Sequence, residues 1–171
     1  MSGKDGDALL QIDQDPEVMR HINGGRITTK REMRDVFLPR LAAYRCEKQG
    51  WGLWSSVRKD TAEVIGWTLV RPLHFFTADR DDRNLELGWR YKRSAWGQGY
   101  ATEAALAICR ALKQQTDVRA FSAITEEDNH ASIKVMKKLG MQFVKKGLYR
   151  DPLGNHEVLY YSILLGNSGS E

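Results

Sequence analysis

A strand-like run ends at Tyr91 and a helical run starts at Ala101, with a glycine pair between them. That turn, Trp96-Gly97-Gln98-Gly99-Tyr100-Ala101-Thr102-Glu103-Ala104, constrains the chain more than any other stretch. Glycine carries no Cβ, so its backbone can approach a ligand closely. The helix that follows directs free N–H groups and the positive end of its dipole into the turn. Such a place suits an anion, most naturally a phosphate. A Gly-x-Gly pair also serves as plain punctuation where a helix begins, so the flanks have to decide.

Composition narrows the partners. The chain has 171 residues, 42% hydrophobic and 28% charged, which suits one soluble globular domain over residues 1–171. Net charge is +4 and the isoelectric point about 9.1. That balance fits nucleic acid, a membrane surface or a polyanionic small ligand. The basic residues are scattered, and blocks such as Lys137-Lys138 and Lys145-Lys146 are short. No RNA-recognition, helix-turn-helix or zinc-finger spacing occurs, so a phosphate-rich cofactor ranks above nucleic acid. No apolar run approaches the roughly 20 residues of a membrane span, and residues 1–6 carry no apolar signal segment. Cys46 and Cys109 fall in helix-like runs without metal spacing. They read as buried free thiols in a reducing compartment, which makes the cytoplasm the expected location. His21, His74, His130 and His156 are scattered. They are taken as surface or loop residues, and no metal is expected.

Taken in order, residues 8–22 carry Leu9, Leu10, Ile12, Val18, Met19 and Ile22, interrupted by Asp15-Pro16. Pro16 suits the first position of a helix with Asp15 as its cap. Thr29-Lys30-Arg31-Glu32 forms a capping box. Met33, Val36, Phe37, Leu41 and Tyr44 follow at helical spacing, and Gly50 closes the run. Pro39 lies inside and should kink or split that helix. Residues 52–58 and 64–71 are rich in Trp, Val, Ile and Thr and read as a hairpin. Residues 75–83 form a polar loop. Leu85, Leu87, Trp89 and Tyr91 alternate with Glu86, Gly88 and Arg90, a half-buried strand. Trp51, Trp54, Trp67 and Trp89 are expected in the core.

Beyond the turn, Ala101, Ala104, Ala105, Ile108 and Leu112 form a helical stripe. Residues 119–125 are a short strand. A helix with Ile133, Met136 and Leu139 stops at Gly140, and two strands surround the turn Asp151-Pro152-Leu153-Gly154-Asn155. Residues 166–171 read as a loose tail. The order is that of an α/β or α+β sheet covered on both faces.

Four motifs carry a resemblance. Asp15-Pro16-Glu17-Val18-Met19-Arg20, Glu86-Leu87-Gly88-Trp89, the glycine turn, and Asn129-His130-Ala131-Ser132 with Lys138-Leu139-Gly140-Met141 occur in this order. Together they resemble the GNAT acyltransferase superfamily, and within it the branch of ribosomal-protein N-terminal (alanine) acetyltransferases. The resemblance implies a mixed, mostly antiparallel sheet of about six to seven strands, splayed in the middle, with helices on both faces and acetyl-CoA as cosubstrate. It implies that backbone amides of Gly97, Gln98, Gly99, Tyr100, Ala101 and Thr102 hold the pyrophosphate. It implies that Trp89, Arg90 and Tyr91 pair with the pantetheine arm as a strand would, and that Asn129 hydrogen-bonds the same arm. The acceptor is then an amine, either a protein N-terminus or a small amine such as an antibiotic or polyamine. A non-catalytic acyl-CoA-binding sensor is the rival from another class.

Acetyl transfer to an amine needs a group or water to accept a proton. Glu86 matches an acidic position of the family and is the candidate base; the alternative is an ion pair with a neighbour such as Arg90. Ser132 is the family-matched partner of the leaving thiolate, against a helix serine bonding back to its own turn. Two departures stand out. Trp96 occupies a place where the general pattern has Gln or Arg, and Met136 occupies that of a tyrosine general acid. Tyr149 is a weaker stand-in for that tyrosine.

The family also opens with a strand. Here residues 1–7 hold three glycines or serines, two aspartates and no β-branched residue, so strand propensity is poor. That strand is expected to be absent or a stub. The sheet edge would start at residues 52–58, an edge to be covered by a loop, by the tail or by a partner subunit in a homodimer.

Overall fold

The start of the chain is helical. In the computed structural model, which describes residues 1–166, a 3-10 turn, Gly3–Asp5, is closed by a capping box between Ser2 and Asp5. It runs straight into α1, Gly6–Ile12. The family's usual first strand is therefore missing from this segment, as the poor β propensity of residues 1–7 leads one to expect. Of the expected tail, residues 167–171 lie outside the described residues.

Next comes α2, Pro16–Asn23, with Pro16 in the first turn, Asp15 accepting a bond from the Glu17 N–H, and Gly24 at φ 77 closing it. The capping box of Thr29 and Glu32 opens α3, Lys30–Glu32. A wide π-helical turn, Met33–Phe37, follows, and then α4, Leu38–Tyr44. Pro39 explains the widening: it has no N–H for the carbonyl four residues earlier, and its ring would strike that carbonyl. The helix stops at Tyr44 rather than at Gly50, because Glu47-Lys48-Gln49 offers no apolar side to bury. Cys46 is accordingly not helical but bridges to Trp51, while Gly50 at φ 70 closes a 3-10 turn, Glu47–Gln49.

The strands are β1 (Gly52–Val57), β2 (Val64–Leu73), β3 (Asp81–Tyr91), β4 (Ala120–Thr125), β5 (Gln142–Tyr149) and β6 (His156–Leu164). Between them lie α5, Tyr100–Gln115, and α6, His130–Lys138. β3 begins four residues before the expected alternation, since Asp81, Asp82, Arg83 and Asn84 carry no apolar signal. The six strands form one sheet in the order β1-β2-β3-β4-β6-β5. β1/β2, β4/β6 and β5/β6 are antiparallel. β3 and β4 are parallel, which requires a crossover, here α5. Their register covers Asn84↔Ala120, Leu85↔Phe121 and Glu86↔Ser122, although β3 continues to Tyr91.

By internal contacts the chain forms two compact units, residues 1–70 with 89–104, and 71–88 with the chain from Ala105 on. The first is built on Ile12, Met19 and Val70; the second on Leu85, Leu87, Phe121 and Met136. In the first unit the outer strand β1 is met by the chain start, whose Met1 ammonium donates to the Leu53 carbonyl at 2.6 Å. The four tryptophans expected in the core are only partly there. Trp51, Trp67 and Trp89 are half-buried, and Trp54, on the outer strand, is 42% exposed. No helix among the described residues is long and apolar enough to cross a membrane.

Candidate active site

The glycine turn is braced from the strand before it. The Tyr91 ring lies against Gly66 of β2, where a Cβ would come within 2.3 Å of the ring. Its hydroxyl reaches Ser56 of β1 at 2.6 Å. Tyr91 packs with Ile65 and Ala95, and Trp89, Tyr100 and Ala101 close on that cluster. The Trp96 indole N–H donates to the Tyr91 carbonyl at 2.9 Å, and the Gln98 amide donates to the Ser94 carbonyl at 2.8 Å. Trp96 thus has a place in the turn that needs no phosphate contact.

Gly97 and Gly99 adopt φ 72 and 83, the left-handed region that disfavours side chains, and nothing lies within 4 Å of where their Cβ atoms would be. α5 begins at Tyr100, one residue earlier than expected. The Glu103 N–H bonds to the Gly99 carbonyl, so the helix offers no acceptor for the N–H groups of Tyr100, Ala101 and Thr102. Gly97, Gln98, Gly99, Tyr100, Ala101 and Thr102 are therefore gathered at one helix N-terminus with open space beside the glycines. That arrangement fits the diphosphate of a coenzyme A. The Arg90 side chain belongs elsewhere: it pairs with Asp13 at 2.6 Å and lies over the Trp67 ring at 4.9 Å.

The second unit holds the candidate base. Glu86 is not on a solvated polar face; it is 4% exposed. Its ion-pair partner is Arg71 of β2 rather than Arg90. Arg71 Nε donates to Oε2 at 3.1 Å and Nη2 to Oε1 at 3.2 Å, the two-pronged geometry a guanidinium gives a carboxylate. The Tyr149 hydroxyl donates to Oε2 at 3.0 Å and accepts from Arg71 Nη2 at 3.2 Å. Burial, and then the negative charge of Glu86, push the Tyr149 phenol well above its ordinary range. A phenol that holds its proton so tightly is a poor acid for a leaving thiolate, whose own value is near 8.5. His74 lies in the turn after β2, as expected of a loop residue, but its ring is engaged. It sits at φ 58, with its ring stacked on Tyr149 at 5.3 Å and tilted toward Tyr160 at 6.0 Å.

Asn129 caps α6, accepting from the Ser132 N–H at 3.2 Å. The cap uses only its carbonyl oxygen, so the amide hydrogens are not spent there, and it links Asn129 and Ser132 in one turn. Met136 is 1% exposed and belongs to the core. Sequence reading missed Arg71 and His74. A charge inside the apolar run of β2 was the available signal for Arg71, because such a residue is buried only with a partner. For His74 no signal existed.

A family model described as an acetyltransferase (GNAT) domain matches residues 1–142. An uncharacterized N-acetyltransferase, p20 of Bacillus licheniformis, is 30% identical over 151 residues, 88% of this chain and 80% of that protein. A crystal structure of an aminoglycoside acetyltransferase with coenzyme A superposes with TM-score 0.73 at 15% identity, covering 96% of this chain and 91% of that one. The ribosomal-protein-alanine N-acetyltransferase of Brucella melitensis gives TM-score 0.68 at 18% identity, covering 96% and 97%. Fold and matched domain define an acetyl-CoA-dependent N-acetyltransferase. The chain belongs to the GNAT acetyltransferase family.

Proposed function

We propose that this enzyme acetylates a protein N-terminal α-amine by direct attack of the amine on acetyl-CoA. The observation that carries the cosubstrate is the pair of left-handed glycines at the start of a 16-residue helix, with open space beside both. The acceptor rests on the motif likeness to the ribosomal-protein branch. Bound acetyl-CoA supplies an activated acyl carbon and a thiolate leaving group.

The chain's own groups divide the remaining work. Amides of residues 97–102 hold the pyrophosphate, the Trp89, Arg90 and Tyr91 backbone lies along the pantetheine, and the Asn129 amide donates to that arm. Glu86 accepts the amine's proton through a water. The Ser132 hydroxyl donates at the departing sulfur. The test is thiol release from acetyl-CoA across a panel: peptides beginning with alanine, serine or methionine, a polyamine and an aminoglycoside. Turnover confined to the peptides supports the reading. Turnover on the polyamine or aminoglycoside alone makes it a small-molecule enzyme, and binding without turnover on any amine makes it an acyl-CoA sensor.

A further inference from the structure

The contacts of Glu86, Arg71 and Tyr149 close into a ring whose hydrogen-bond directions are fixed by chemistry. Arginine can only donate. The bond from Arg71 Nη2 to the Tyr149 oxygen, at 3.2 Å, therefore leaves the single phenolic hydrogen for Glu86. Oε2 then receives two donors, Arg71 Nε and the Tyr149 hydroxyl, and Oε1 receives one, Arg71 Nη2. A carboxylate oxygen has two lone pairs. Oε2 is filled and Oε1 keeps one.

The ring is also held from outside. His74 adopts φ 58, a strained conformation for a non-glycine residue, which persists only where its surroundings impose it. The product of that strain is an imidazole stacked on the Tyr149 ring at 24°. Tyr149 is the last residue of β5, paired with His156, so strand pairing and the stack both fix its hydroxyl. The three side chains come from β2, β3 and β5, and all three residues are buried.

We infer that Tyr149, with Arg71, is a positioning residue that fills Glu86 Oε2 and so presents Oε1 alone to the amine or its water. The inference rests on the reading of Glu86 as the base. Tyr149→Phe removes the hydroxyl, keeps the ring for His74, and leaves Arg71 paired to both carboxylate oxygens, so the fold should survive. With Oε2 reopened, the carboxylate has two competing acceptor sites, and misplacement of a reacting group by about 1 Å can cost on the order of 100-fold.

The experiment is a double-mutant cycle of Y149F and E86Q. It is read as kcat, acetyl-CoA KM and melting temperature, with the amine selected by the panel above. Expected are a roughly tenfold to hundredfold loss of kcat in Y149F with acetyl-CoA KM within about twofold, and a double variant no slower than E86Q alone. Arg71→Lys, which cannot give two parallel bonds, should show the same non-additivity. Normal kcat in Y149F, or losses that add in the double variant, would overturn the positioning role. Near-normal turnover in E86Q would instead remove the base reading itself, and the two failures are told apart by that single variant.

Discussion

Asp13 and Arg90 meet across 77 residues of sequence, Oδ1 to Nη1 at 2.6 Å, with their side chains 2% and 14% exposed. Asp13 closes α1 and also accepts the Thr28 hydroxyl at 2.8 Å. One carboxylate thus ties the first helix, the loop before α3 and the end of β3 together. Asp13→Ala leaves a largely covered guanidinium without its counter-charge and the Thr28 hydroxyl without its acceptor; breaking a fully buried pair costs about 3–5 kcal/mol, and the loss here should approach that range. Urea unfolding should show that loss as a lower midpoint. A loss below about 1 kcal/mol, the worth of an exposed pair, would mean that Arg90 finds water or another acceptor.

The cradle gives a binding prediction. Gly99→Glu must adopt φ 83 against its own Cβ, at a cost of about 1–2 kcal/mol. It also places a carboxylate where a diphosphate is to sit, a like-charge meeting worth several kcal/mol. Calorimetric affinity for acetyl-CoA should fall by at least about 100-fold, while Gly99→Ala, which brings strain without charge, should lose much less. Equal affinity in the glutamate variant would move the pyrophosphate elsewhere.

Glu86→Gln keeps the shape of the side chain and removes its charge. Loss of a general base typically lowers the rate by roughly 10²–10⁴-fold, and acetyl-CoA affinity should change little. Ser132→Ala should lose less, because water can stabilise a thiolate whose intrinsic value is already near 8.5. Steady-state kinetics on both variants give the ranking, and a larger loss in the serine variant reverses the assigned roles.

How much of this was legible in the sequence depended on range. Local chemistry read well: Asp15 before Pro16, the Thr29 and Glu32 box, and Gly97 and Gly99 before α5 all act within four residues. The absence of a first strand followed from the poor β propensity of residues 1–7, but the helical turns that stand in its place, Gly3–Asp5 and the start of α1, did not. What failed was long-range. Glu86 and Arg71 are 15 residues apart and Tyr149 is 63 from Glu86, so alternation placed Glu86 on a polar face without showing that other side chains cover it. Trp54 was misplaced because composition marks a strand but not whether it lies at the sheet edge, where one side faces water. The end of α4 was misread because Gly50 closes a turn, and a glycine does not say which element it ends.

Two side chains that hold their protons above the ordinary range make stability sensitive to alkali. Burial pushes the Cys109 thiol from its ordinary 9.0 up to about 12. The unfolded chain loses this proton above about pH 9, whereas the folded chain keeps it until about pH 12. Between those values the folded state binds more protons, so stability must fall as pH rises. Tyr149, whose phenol is also raised above its ordinary 10.0, adds to the decline from about pH 10 upward. Denaturation midpoints measured at half-unit steps from pH 8 to 11 should therefore slope downward. Cys109→Ala should flatten the part that begins near pH 9, and Tyr149→Phe the part that begins near 10. At pH 8 the Cys109 thiol should also resist a soluble disulfide reagent until the protein unfolds. Rapid labelling of Cys109 in the folded state, or an unchanged slope in Cys109→Ala, would show that water reaches this thiol.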